Sequence, residues 1–265
     1  MIWTTQPRSE GVGELAFLQA GDGPALVLIH GVGLRAEAWA AVMSTLQRDF
    51  TLYAIDMPGH GGSPLNFVRS LSDYVARLSG LIRSLNQPVV IAGHSMGAMI
   101  ALELASHMQE RVVGVAALNA IYRRTPDAAK AVQARANALS DAKTSLPDAT
   151  LERWFGENPQ GALVDAAGAC RNWLTTVDPQ GYAAAYKLFA HHDGPEDKLL
   201  RSLPMAALFQ TGPRDLNSTP DMSRSMAALT PHGRADIVPN AAHMMPMTHP
   251  ELVAEAFLRT FGPTK

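Results

Sequence analysis

Apolar and polar positions divide the chain into two alternating kinds of segment. Unbroken apolar runs at Ala25–Ile29, Thr51–Ile55, Val89–Ala92, Val112–Leu118 and Met205–Phe209 are bounded by turn residues, and Ala235–Val238 is a shorter strand-like run. Runs with no polar face are what strands covered on both sides require, so they predict buried parallel strands. Between them, apolar residues recur at three- and four-residue steps. Leu71, Tyr74, Val75, Leu78, Leu81, Ile82 and Leu85 make one such face, and Trp39, Val42, Met43 and Leu46 make another. Pro250–Phe261 repeats the pattern with Val253, Ala256, Phe257 and Phe261. Strand alternating with helix predicts an α/β fold with a mostly parallel, doubly wound sheet. Glu14–Gln19, joined to Ala25–Ile29 through Gly21-Asp22-Gly23-Pro24, predicts a hairpin adding an antiparallel edge.

From Tyr122 to Leu203 the alternation stops, and the chain becomes Ala-rich and helical, with aromatics at Trp154, Phe155, Trp173, Tyr182, Tyr186 and Phe189. This predicts a helical cap over 122–203, inserted into a core made of 1–121 and 204–265.

Composition narrows the function. A chain of 265 residues, 47% of them hydrophobic, can bury a substantial core as one unit. Asp and Glu total 24 against 22 Lys and Arg, with no long block of either sign, so nothing marks a nucleic-acid or anionic-membrane partner. A small-molecule partner fits better, and a homodimer is compatible with it. No stretch reaches membrane-spanning length and no basic start precedes an apolar core, which makes the cytoplasm the expected compartment. Cys170 is the single cysteine, so no intrachain disulfide can form, and it reads as a packed residue.

The chemistry-bearing pattern is Gly93-His94-Ser95-Met96-Gly97, between a strand-like run and the helical Ala98–Ala105. A turn sharp enough to lift Ser95 clear of the sheet leaves no room for β-carbons beside it, and the serine then meets the free N–H groups of a helix start. A serine hydroxyl is a weak nucleophile at neutral pH, so it needs an imidazole base and an acid to orient that imidazole. Asp215 follows Met205–Phe209 and His243 follows Ala235–Val238, both in loops at strand carboxyl ends, where open α/β sheets gather their sites. Ser95, Asp215 and His243 are therefore the expected triad. Met96 and Val32, the latter in His30-Gly31-Val32-Gly33, are the expected N–H donors to an oxyanion. Gly31, His94, Trp154, Tyr182, Tyr186 and Met244 are the expected pocket wall.

Other features have blander readings. Asp236 is the rival acid, but its strand pattern points it to solvent, and His249 before Pro250 suits a helix mouth. His30 and His60 suit loop backbone groups. His191-His192-Asp193 lacks the further spaced ligands a metal needs. Gly11–Ala16 matches a dinucleotide pattern by chance, because no strand precedes it. Arg123-Arg124 and Arg171 read as solvated charges that could also attract a carboxylate. No metal or organic cofactor is expected.

Together, His30-Gly31-Val32-Gly33, Asp56-Met57-Pro58-Gly59-His60-Gly61-Gly62-Ser63, the Ser95 turn, Asp215 and His243 resemble the α/β-hydrolase superfamily over essentially the whole chain. Thr176–Gly181 and Tyr182-Ala183-Ala184-Ala185-Tyr186, with Asp193 and Leu203-Pro204, are similar to the 3-oxoadipate enol-lactonase and aminoacrylate hydrolase group. The resemblance implies an α/β-hydrolase fold and cleavage of a small carboxylic ester, lactone or enol-lactone through an acyl-enzyme. A carbon–carbon bond hydrolase or a thioesterase would use the same triad, and a non-catalytic small-molecule receptor would keep the fold without turnover.

Overall fold

The computed structural model describes residues 3–11, 14–141 and 147–263. Among these, eight strands form one sheet in the order β1-β2-β4-β3-β5-β6-β7-β8. The strands are β1 (Ser9–Glu10), β2 (Ala16–Ala20), β3 (Ala25–Ile29), β4 (Thr51–Ile55), β5 (Val89–His94), β6 (Val112–Leu118), β7 (Ala206–Thr211) and β8 (Gly233–Ile237). From β4 to β8 every neighbouring pair is parallel, as the unbroken apolar runs require.

The expected hairpin does not form. β2 pairs antiparallel with β4, its Phe17 opposite Ile55, while β3 lies between β4 and β5. Both edges of β3 are thus taken by parallel neighbours, which leaves the free edge of β4 for β2, and the short β1 then closes the sheet on β2. Val12 and Gly13, in the chance dinucleotide match, lie outside the described residues.

Helices cover both faces. α1 (Ala40–Leu46), α2 (Leu71–Ser84) and α3 (Met96–His107) follow β3, β4 and β5, and α2 begins with a capping box in which Ser70 accepts from Asp73 N–H. Between β6 and β7 come α4 (Pro126–Asp141), α5 (Asp148–Phe155), α6 (Ala162–Thr176), α7 (Pro179–His191) and α8 (Asp197–Arg201). After β7 come α9 (Pro220–Leu229), then, beyond β8, α10 (Met245–Thr248) and α11 (Pro250–Phe261). One apolar cluster joins α2 and α3 to the sheet, and a second, around Trp39, Phe50 and Phe257, joins α1 and α11 to its other face. A third fastens α5 and α6 to the loop after β3 and to α10 through Leu34, Leu151, Phe155, Trp173 and Met247. Cys170 is fully buried in that cluster, with Sγ 3.6 Å from Met247 Sδ. Among the described residues, no helix is long and apolar enough to cross a membrane.

Candidate active site

Ser95 occupies the turn between β5 and α3 with φ 57° and ψ −118°, a left-handed conformation that costs a non-glycine residue energy. The turn closes tightly enough that a β-carbon on Gly93 would stand 2.0 Å from Gly97 O, and one on Gly97 would stand 2.3 Å from Ile29 O. Only hydrogen fits at either position, which is the physical content of the G-x-S-x-G spacing. Ser95 N–H donates to Leu118 O at 2.8 Å, pinning the turn to the end of β6.

Asp215 lies four residues beyond Thr211, the last residue of β7, in a loop where it is 3% exposed. Its Oδ2 is 2.8 Å from His243 Nδ1, and its Oδ1 accepts from the N–H groups of Asn217 and Ser218 at 2.9 and 3.2 Å. Burial alone would raise this carboxyl's pKa, but the His243 interaction, the Asn217 N–H and the Asn119 amide hold it below the ordinary aspartate value. Nδ1 of His243 is therefore committed to Asp215, and the ring packs against Trp154, stacked at 5.9 Å and 22°, and against His94, tilted at 5.0 Å and 53°. His94 also ties down the backbone, with Nε2 donating to His243 O at 2.7 Å.

Ser95 and His243 line one small cavity, about 60 Å³ in volume. No direct hydrogen bond joins Ser95 to His243 among the described contacts. Such bonds are often long before substrate arrives. Gly31, Val32, His94, Trp154, Tyr182 and Tyr186 line this cavity. Met244 does not: it is 1% exposed and packs in the third apolar cluster, because the chain turns into α10 immediately after His243. Val32 N–H has no acceptor among the described residues, and Met96 N–H sits at the first position of α3, where intrahelical partners do not exist.

His30 and His60 hold this loop in shape. His30 Nε2 accepts from Met57 N–H and His60 Nε2 accepts from Gly33 N–H, each at 3.0 Å. Asp236 is paired instead of solvated, accepting from Gln210 Nε2 and from Arg259 at 3.1 and 3.3 Å, because β8 lies beside β7 and beneath α11. His249 stands at the mouth of α11. His191 and His192 bond to backbone carbonyls one turn earlier, and Asp193 pairs with Arg124.

The basic residues singled out from sequence are spent elsewhere. Arg123 pairs with Asp197, Arg124 with Asp193 and Arg171 with Asp148. Two arginines that sequence reasoning missed face the cavity instead: Arg135 from α4 and Arg153 from α5. Both point a guanidinium at the hydroxyl of Thr150, which is itself buried, and the side chain of Arg135 also lies over Tyr186, its Cζ 5.5 Å from the ring centroid. Among the described residues, no carboxylate pairs with either. Burial and the charge of Arg135 lower the pKa of Arg153. A hydroxyl one turn ahead of Arg153, on the face that also carries Trp154, was the available signal.

A model of the alpha/beta hydrolase family matches residues 26–256. The chain belongs to the alpha/beta hydrolase family. Within it, this hydrolase is 37% identical over 242 residues to the (E)-2-((N-methylformamido)methylene)succinate hydrolase of Acinetobacter baylyi, covering 91% of each chain. It is 31% identical to a pimeloyl-[acyl-carrier protein] methyl ester esterase of Chromobacterium violaceum, over 86% of this chain and 91% of that one. The enol-lactonase from Burkholderia xenovorans superposes with a TM-score of 0.81 at 23% identity, over 96% of this chain and 98% of that one, which shows the shared fold.

Proposed function

We propose that this family member is a serine hydrolase acting on small acyl compounds that carry a carboxylate. The observation that carries the reading is the 2.8 Å bond between Asp215 Oδ2 and His243 Nδ1 beside a cavity that also exposes Ser95. Ser95 Oγ attacks the carbonyl carbon while His243 Nε2 accepts the hydroxyl proton, and Asp215 stabilises the imidazolium through Nδ1. The N–H groups of Val32 and Met96 bind the tetrahedral oxyanion. Collapse breaks the bond to the leaving group, which takes the proton back from His243 and leaves the acyl group on Ser95. His243 then deprotonates water for the second attack, and the acid departs.

Substrate class follows from Arg135 and Arg153. Among the described residues no acid is paired with either of these two cavity-lining cations, and a substrate carboxylate would supply the counter-ion. The name of the Acinetobacter baylyi relative, a succinate hydrolase, supports an acidic substrate. That same name supports a second reading, in which the bond cleaved is in an N-acylated enamine instead of an ester or enol-lactone; the triad chemistry is common to both. The test is a panel of p-nitrophenyl esters differing only in a terminal carboxylate, the hemisuccinate against the butyrate. The hemisuccinate is expected to have the higher kcat/KM, with the preference falling at least tenfold in R135M/R153M. Equal kcat/KM values in the wild type would remove the acidic-substrate reading, and absence of any turnover together with no fluorophosphonate labelling at Ser95 would favour a receptor on the hydrolase fold.

A further inference from the structure

Asn119 stands at the carboxyl end of β6, the strand between the one that delivers Ser95 and the one that delivers Asp215. It is fully buried and has φ 50°, a conformation that asparagine tolerates better than most residues. Its backbone is held from both sides: N–H donates to Gln210 O at 2.8 Å, and C=O accepts from Ser218 Oγ at 2.7 Å. Its amide Nδ2 reaches Asp215 Oδ2 at 2.8 Å, Ala242 O at 3.3 Å and Thr211 Oγ1 at 3.4 Å. The orientation of the amide is set by chemistry, since the opposite flip would aim an oxygen at a carboxylate and a carbonyl.

We infer that Asn119 is a positioning residue that locks the acid and base of the proposed triad into register; the inference rests on that triad. Among the described residues, Asp215 Oδ2 takes two donors, His243 Nδ1 and Asn119 Nδ2, while Oδ1 accepts from two backbone N–H groups. Without the amide, Oδ2 keeps only the His243 bond among those described, and the two N–H groups on Oδ1 are left to hold the plane of the carboxylate. The contact to Ala242 O reaches the residue before His243, so one side chain grips both loops. The neighbouring Leu118 O holds Ser95 N–H, so two consecutive residues at the end of β6 bond to Ser95, to Asp215 and to the residue preceding His243. Orphaned Asn119 Oδ1, buried without a partner, is a cost accepted for placing Nδ2 where it is.

N119G and N119D separate this role from packing. Glycine keeps φ +50° and both backbone bonds while deleting the amide, and aspartate keeps the shape while replacing a donor with an acceptor. With p-nitrophenyl acetate, N119G is expected to lose roughly ten- to a hundredfold in kcat, as for a lost hydrogen bond to a charged group, with KM within about twofold. N119D is expected to lose more. The low-field proton resonance of the His243–Asp215 hydrogen bond is expected to shift or broaden away in both variants, whereas S95A retains it. A resonance and kcat unchanged in either folded variant overturn the inference. Because the resonance needs no turnover, it reports on Asn119 even if Ser95 proves not to be a nucleophile.

Discussion

Asp215 lies in the loop after β7 and Asp236 within the adjacent parallel strand β8, yet of the two only Asp215 points its carboxylate at an imidazole; Asp236 Oδ2 is taken by Gln210 and Arg259. The difference is testable. D215N, which removes the acceptor for His243 Nδ1–H, is expected to lower kcat for p-nitrophenyl acetate by about 10⁴, the scale of tautomer loss in serine triads. D236N should stay within a few-fold of wild type, and a comparable loss in both would dissolve the assignment of the acid.

Ser95→Ala should leave the fold and its thermal midpoint in place, since the elbow conformation is dictated by its glycine neighbours, and should abolish hydrolysis of short p-nitrophenyl esters and labelling by a fluorophosphonate. Turnover surviving at wild-type rate would identify another nucleophile.

The same turn predicts the effect of a single methyl group. G97A forces a β-carbon to within 2.3 Å of Ile29 O, backbone that cannot give way without moving β3. Equilibrium unfolding is expected to show a loss of about 2 kcal/mol or more, in the range of severe overpacking, together with loss of esterase activity. A variant as stable as wild type would mean that the elbow is looser than its contacts imply.

Three fully buried histidines set the acid limit of stability. Burial first, assisted by neighbouring charge for His30 and His94, lowers His30 and His94 to about 3 and His60 to about 4. Below the unfolded value of 6.5 the unfolded chain takes up protons that the folded chain refuses, so stability is complete above pH 6.5 and falls continuously toward pH 4. The slope per fully unmatched proton is about 1.4 kcal/mol per pH unit. Chemical denaturation between pH 7.5 and 4.5 measures it. Because His60 Nε2 accepts Gly33 N–H, the midpoint and esterase activity should decline together.

Arg8 near the chain start bridges Glu37 and Asp56 at 2.6 and 2.7 Å, and both carboxylates are fully buried. Burial would raise their pKa values, but Arg8's hydrogen bonds and charge more than reverse it, so both sit below the ordinary range. Their stabilisation is present above pH 4 and is lost as pH falls further. R8M should therefore cost about 3 kcal/mol at pH 7, the penalty of stranding buried charge, and less at pH 3.5. A cost that grows in acid would contradict the pairing.

Much of the fold was legible because its determinants are local. Strands buried on both sides must be apolar throughout, which is why Ala25–Ile29 and Val112–Leu118 carried their own boundaries. Pairing partners are not local: nothing in Glu14–Gln19 reveals that β2 skips β3 for β4. Ser95, Asp215 and His243 could be singled out because sharp turns and strand ends leave marks in sequence, and the fold brings His243 Nδ1 within 2.8 Å of Asp215 Oδ2. Arg135 and Arg153 were missed because a cationic residue on an amphipathic helix looks the same whether it meets water or a cavity. Met244 erred in the reverse direction, since proximity to His243 in sequence is not proximity to the cavity once α10 begins.

The groups proposed to attack and relay protons stand on strand ends, whereas Arg135, Arg153, Trp154, Tyr182 and Tyr186 all come from the one stretch of chain between β6 and β7. Drift in that stretch can thus retune which molecule is admitted while the machinery beneath keeps its shape. Chimeras exchanging only these helices between family members are the natural route to changing diet without rebuilding the engine.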